Sequence, residues 1–297
     1  MVYPMNRLFG GALALLCLAS PLPVLAQGMD ALGFTGGLEF EHTRRNGAAG
    51  SMVGGELFLR YEGPFGFELG ADIDHSLDTG TDYSVPFLAL TFGIGPGTLA
   101  VGAPQPIADQ LIDIPAFAGS RELQYGFDLR TTSIATGMAK AAGEQLYGAR
   151  MLVEAGQLRY GASLHRVTQQ SGAHWQIAGE YEAAPGSQVE GTVEGEDGNL
   201  GITVGANHQA GQFDMGLYLT SQTIIGDTKA AVGYVGFAVS DALTVRGHVR
   251  TEDGTVSGNM VGIEAEYGFG NGAFAQVGAT DGNTTSMALD ASVGFEF

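Results

Sequence analysis

The feature that most constrains this chain is a period-two alternation of apolar and polar residues, repeated in separate segments along most of its length. In FGFELGADIDH (65–75), Phe65, Phe67, Leu69, Ala71 and Ile73 form one face, and Glu68, Asp72 and Asp74 lie on the other. In ALTVRGHVRTE (242–252), Leu243, Val245, Gly247 and Val249 oppose Thr244, Arg246, His248 and Arg250. RELQYGFDLRT (121–131), AHWQIAGEYEA (173–183), GNLGITVGANH (198–208), GQFDMGLYLTS (211–221) and SMALDASVGFEF (286–297) follow the same rule. Successive side chains of a strand point to opposite sides, so each segment reads as a strand with one greasy and one ionic face. A soluble β-sandwich alternates too, but its outer face is a Ser/Thr mix, whereas here the polar side carries charges and no domain break interrupts the strands. Each segment also matches the roughly 9–11 residues that a tilted strand needs to cross a bilayer. Beyond the first 26 residues no run of fifteen apolar residues occurs. A membrane-spanning chain of this kind must therefore be a closed barrel, in which every backbone group is paired.

Turn signals punctuate the alternation. Those at Glu62-Gly63-Pro64, Gly95-Pro96-Gly97, Ala155-Gly156, Ala184-Pro185-Gly186, Ala210-Gly211, Ser240-Asp241 and Gly270-Asn271-Gly272 are tight and fall at one end, as periplasmic turns should. The opposite connections, such as 44–50, 76–82, 167–172 and 281–284, are polar and generally longer. Aromatics gather beside the tight turns: Phe34, Tyr61, Phe65, Phe92, Tyr181, Phe213, Phe237, Tyr267, Phe269, Phe295 and Phe297. That is the girdle of a membrane interface. Counting segments gives 18 strands, with 132–141 and 188–195 the weakest. The fold class is thus all-β, a transmembrane antiparallel β-barrel of 16 strands, with 18 open. Either number leaves a lumen wide enough for water, whereas about eight strands would be filled by side chains.

The N-terminus does not alternate. Arg7, the apolar run from Leu8 to Leu18 and Val24-Leu25-Ala26 form a secretory signal peptide over 1–26, which leaves 27–297 as the barrel domain. Cys17, the only cysteine, falls inside the signal and removes disulfide and thiolate chemistry from the mature chain. Losing Arg7 leaves 12 basic residues against 32 acidic ones, a net charge of −20. Nucleic acid is excluded as a partner by that balance. The 48 glycines sit among 16 Phe and 10 Tyr, which argues against disorder and suits the bends of a barrel.

One connection breaks the pattern. After GTLAVGA (97–103), PQPIADQLIDIPAFAGS (104–120) is the longest and the most apolar, with Ile107, Leu111, Ile112, Ile114 and Phe117. A loop in water would not expose these side chains, so this third external loop is expected to fold inward, lie against the wall and constrict the pore. Asp109 and Asp113 are four residues apart and would point the same way from a helical turn, into the lumen. Arg60, Arg130, Arg159, Arg246 and Arg250 occupy inward positions, with Arg121 and Arg150 less clearly placed. Facing the loop carboxylates, they would set a transverse field at the constriction. Any one of them could equally pair with Glu68, Asp128 or Glu264 inside the wall.

Other chemistry is thinly supported. Asp72, Asp74, Asp78 and Asp82 could gather at one strand end to hold calcium, but they lack the glycine and closing glutamate of a calcium loop. No other cofactor is indicated. A barrel hydrolase would need a nucleophile and base in contact, and the pairs His75-Ser76 and His165 near Ser163 lie in no nucleophile motif. A structural or adhesive barrel would want longer external loops.

The succession FLALTFGIGPGTLAVGAPQPIADQL (87–111) and the closing block YGFGNGAFAQVGATDGNTTSMALDASVGFEF (267–297) resemble the general porins of alphaproteobacteria. The resemblance implies a homotrimer of barrels in the outer membrane, among its lipids and lipopolysaccharide. Each barrel would carry its own pore with the third loop folded inside, passing ions and small hydrophilic solutes passively. Phe297, with Phe295, Val293 and Ala291 outward, resembles the signal read by the barrel-assembly machinery. The short fourth, sixth and eighth loops and an extra hairpin depart from the family pattern.

Overall fold

A computed structural model describes residues 32–45, 47–112, 114–119, 133–224, 226–254, 258–283 and 287–297. Sixteen strands run through them: β1 (Leu32–Arg45), β2 (Ala48–Tyr61), β3 (Phe65–Ser76), β4 (Val85–Ile94), β5 (Gly97–Ala103), β6 (Leu146–Ala155), β7 (Leu158–Val167), β8 (His174–Ala184), β9 (Ser187–Glu196), β10 (Asn199–Ala210), β11 (Phe213–Gln222), β12 (Thr228–Ala238), β13 (Leu243–Asp253), β14 (Gly258–Gly268), β15 (Ala273–Gly282) and β16 (Ala288–Glu296). Each pairs antiparallel with its sequence neighbours, and β1 pairs with β16, so the sheet closes with no free edge. Sixteen is the expected number. All seven tight turns fall where the sequence puts them, and 188–195 is a strand, β9.

Closure is made by the last residues. Leu38 lies opposite Phe295 and Phe40 opposite Val293. The Phe297 amide donates to the Gly36 carbonyl at 3.0 Å, and the Gly36 amide donates back to Phe297 at 3.1 Å. The Phe34 and Phe297 rings stack at 4.7 Å between centroids, and Phe295 flanks them. Phe65–Phe92, Phe213–Phe237 and Tyr267–Phe269 repeat this pairing around the tight-turn rim. The girdle read from the sequence is therefore present.

Alternation holds along the wall. In β14, Val261 and Ile263 are exposed on the outside while Met260 and Glu264 are buried inside. Outward apolar side chains supply the transfer energy for a lipid-facing surface, and inward polar ones face water or the loop.

Two expectations about 104–145 need correction. The stretch 132–141 is not a strand: Ile134–Ala142 is a helix, α2, which follows the shorter helix α1 (Ile107–Leu111) in the same connection. Ser133 caps α2 by accepting from the Thr136 amide at 3.3 Å, and Gly143 ends it in the left-handed conformation at φ 66°. One face of α2 packs Ala135 and Ala139 against Phe58, Val85, Phe87, Leu146 and Val167, and this burial outweighs a weak two-residue alternation. The segment 121–131 lies outside the described residues. Because β5 pairs directly with β6, the connection between them spans 104 to 145, longer than the 104–120 read from the sequence.

Candidate functional site

The described parts of the connection between β5 and β6 line the inside of the barrel and are bonded to it. At its start, Glu68 on β3 gathers two guanidinium groups, Arg60 at 3.2 Å and Arg150 at 3.0 Å, and accepts the Gln105 amide at 2.9 Å. Arg150 also donates to the Gln105 carbonyl at 2.9 Å, and Arg60 to the Gln105 side-chain oxygen at 3.1 Å. A carboxylate bound by two bases and an amide is fully satisfied, so the loop leaves β5 in a fixed direction. On β7 the Ser163 hydroxyl accepts the Ile107 amide at 3.2 Å and donates to Gln176 at 3.1 Å, and the His165 ring lies 3.0 Å from the Pro104 carbonyl. Ser163 and His165, weighed above as a catalytic pair, both hold the loop.

From there the loop follows the wall. Ile107 and Leu111 pack on Ala178, Ile112 and Ile114 on Tyr218, and Phe117 and Ala118 on Val232 and Met260. The wall is notched to receive it. A Cβ at Gly161 would come within 2.7 Å of Ile107 Cδ1, one at Gly262 within 2.7 Å of Ala118 Cβ, and one at Gly278 within 2.0 Å of the Ala118 carbonyl oxygen. Ala118 itself has φ 51° and ψ 37°, a conformation that costs a non-glycine residue roughly 1–2 kcal/mol and that the docked contacts maintain. Phe117 is 6% exposed and lies 5.3 Å from the His248 ring.

The returning half of the loop is tied to the outgoing half. Asp109 accepts the Ser133 amide at 2.8 Å and the Thr136 hydroxyl at 2.6 Å. Burial pushes its carboxyl up to about 7 despite the Thr136 bond, and the Glu56 and Asp72 carboxylates push it the same way. Gln176 donates to the Ser133 hydroxyl at 2.7 Å and to Glu194 at 2.8 Å, and Glu194 accepts the Ile134 amide at 2.9 Å. At the far end of α2, Lys140 reaches Asp72 and Asp74 on β3, each at 2.7 Å. Burial alone would lower the Lys140 ammonium, but these two carboxylates hold it above the ordinary lysine value.

The sequence-derived residues separate on this frame. Arg60, Arg159, Arg246 and Arg250 occupy inward positions of β2, β7 and β13. None forms a listless row of bare charge: Arg159 pairs with Glu180 at 3.0 Å and Glu154 at 3.4 Å, Arg246 with Asp214 at 3.0 Å and with Glu264, and Arg250 with Glu252. The wall pairing held open as the alternative is thus what Arg60 and Arg246 do. Asp109 is engaged inside the loop, while Asp113 and Arg130 lie outside the described residues, as does Arg121. The four aspartates weighed for calcium do not converge. Asp72 and Asp74 are bridged by Lys140, Asp78 accepts the Ser51 amide, and Asp82 accepts the Ser84 amide at 3.0 Å. Among the described residues no three carboxylate, histidine or cysteine groups stand close enough to hold a metal.

Sequence reasoning offered Glu68 only as a wall partner for an arginine, and missed Gln105, Lys140, Gln176 and the notch glycines. All but Gln105 and Lys140 sit at inward positions of strands, which the alternation does reveal; which of them meet the loop is a matter of three-dimensional register.

No family model matches the sequence, and no curated protein matches it. Solved structures do match. A variant of the Rh. blastica porin superposes with a TM-score of 0.65 at 15% identity, covering 90% of this chain and 100% of that one. The fold is that of a bacterial porin barrel. A triple mutant of the Rhodopseudomonas blastica porin gives 0.63 at 15% identity with the same coverage, and a structure titled for the asymmetric conductivity of engineered proteins gives 0.64 at 15%. The porin-type fold therefore spans most of the chain.

Proposed function

We propose that this chain is an outer-membrane diffusion channel that lets ions and small hydrophilic solutes pass a water-filled lumen without energy input. The observation that carries this reading is the described part of the loop between β5 and β6, fixed by side-chain bonds to the inner wall of a closed sixteen-strand barrel. A wall alone would suit a structural or adhesive protein, but a barrel narrowed from within is built to set the size of what passes. In this reading Arg60, Arg159 and Arg246, which remain partly accessible, would line the passage beside the loop. Structural likeness to porins, and to a structure titled for the asymmetric conductivity of engineered proteins, supports the reading. It is accompanied by export on the signal peptide at 1–26, recognition of Phe297 by the barrel-assembly machinery, a setting of outer-membrane lipids and lipopolysaccharide, and assembly as a homotrimer.

The test is reconstitution in planar bilayers. Purified protein should insert with discrete conductance steps, in threes if the trimer forms. A protein that is folded by circular dichroism yet passes no ions would refute the channel. Steps that always come singly would refute only the trimer.

A further inference from the structure

Burial along the inner wall changes with depth. Beside the tight turns, inward side chains such as Thr35, Gln209 and Glu296 are exposed. Deeper in, every one of the sixteen strands carries at least one inward side chain that is buried, among them Thr43 on β1, Glu68, Gln176, Thr203 and Ala288 on β16. Thr43 shares a row with Gly278, and Ala288 with Thr280, so the buried belt runs at the height where the loop docks. A lumen open to water at that height would leave part of the belt accessible, as it does beside the turns.

The hold on the loop is uneven. Its start is tied by Glu68 and Ser163, and its return by Glu194 and Lys140. Between them Ile114, Phe117 and Ala118 rest on Tyr218, Val232 and Met260 by apolar contact, and among the described residues no hydrogen bond or ion pair ties 114–119 to the wall. Ala118 is kept in the left-handed region, a strain that release relieves. Under the tip, on either side of Gly262, the Thr280 hydroxyl and His248 Nδ1 are buried without a hydrogen-bond partner, and water admitted by release would satisfy both. We propose that the docked loop is the shut position of a gate and that 114–119 is its moving part. The tip leaves its seat on β12–β15 to open the lumen, while 104–111 and α2 stay anchored. The inference rests on the channel reading above and adds that the pore is closed while the tip is seated.

The test locks the tip to its seat. Cys17 is the only cysteine and falls in the signal segment, so a pair introduced in the barrel can react only with itself. A Cβ at Gly262 would lie 2.7 Å from Ala118 Cβ, so a small outward shift brings Ala118→Cys/Gly262→Cys to disulfide separation. The variant is oxidised with diamide, its free thiols are titrated, and its fold is checked by the heat-dependent gel shift of an intact barrel. In planar bilayers oxidation should cut the open probability by about tenfold or more, and a reductant should restore it. In parallel, a charged methanethiosulfonate reagent should modify Thr203→Cys about tenfold or more slowly than Thr35→Cys, and adding Gly278→Val should narrow that gap. Equal conductance of the oxidised and reduced protein, or equal labelling of the two cysteines, would overturn the gate and leave the channel reading intact. A pair that stays reduced in a folded barrel would show that the tip does not sit on Gly262, and would overturn the gate as well. A reduced protein that never conducts would defeat the channel reading itself.

Discussion

Replacing Gly278 by Val tests whether the loop is locked to the wall. The new Cβ would lie 2.0 Å from the Ala118 carbonyl oxygen, a backbone atom that no rotamer change can move aside. Loop and wall must part at that point. Separation exposes Phe117, now 6% accessible, and Ala118, now 1%. Returning a phenylalanine to water costs about 2–3 kcal/mol and an alanine methyl about 0.8, while release of the Ala118 conformation gives back about 1. The net loss of about 2 kcal/mol shifts the balance of docked and released loop roughly thirtyfold. The variant should show higher single-channel conductance, greater open-channel noise and faster entry of neutral sugars. Gly247→Ala is the control, because its Cβ would point outward with its nearest neighbour at 4.0 Å. A folded Gly278→Val barrel with wild-type conductance, noise and sugar exclusion would show that the notch does not hold the loop.

Lys140→Met should free α2, because it leaves Asp72 and Asp74 buried without their cation; breaking such a pair costs about 3–5 kcal/mol, read as a lower thermal midpoint and a noisier channel. Since the Lys140 ammonium is held above its ordinary value of 10.5, its contribution should be full below that pH and fade only above it. Glu68→Gln should loosen the start of the loop and raise noise more than Glu180→Gln, because Glu68 binds two arginines and an amide whereas Glu180 binds one arginine. Asp109 binds its proton more tightly when enclosed, with a value of about 7 against 3.8 when free, so loop docking should strengthen as pH falls from about 7 toward 3.8. Asp109→Asn should flatten that dependence in noise measured against pH, and an unchanged slope would place the titrating group elsewhere.

How much of this was legible in the sequence depended on the range of the interactions. Strand and turn positions were readable because their signals are local: a two-residue period, and glycine with proline, asparagine or aspartate at each tight turn. The inward loop was readable from Ile107 to Phe117, apolar residues with nowhere else to pack. The nature of α2 was not, because IATGMAKAA satisfies weak alternation and helix alike until Phe58 and Phe87 supply the surface that decides. Nor was the fate of the charges. Lys140 meets Asp74 across 66 residues of sequence, and Arg150 meets Glu68 across 82, so only the closed barrel determines who pairs with whom. Asp109 looked like a lumen charge because its spacing was read without the returning half of the loop that covers it.

The seam between β1 and β16 bears on how the chain reaches this state. Thr43 and Asp290, which bond across it, are 247 residues apart, so this contact carries a far larger loop-closure entropy than any hairpin in the wall. Fifteen hairpin pairings can form in sequence order, but the sixteenth must wait for the last strand to arrive. Until then two strand edges stand open, each able to recruit another chain. Closure at Phe297 is thus the kinetically vulnerable step, and the stage at which assistance during insertion would matter most.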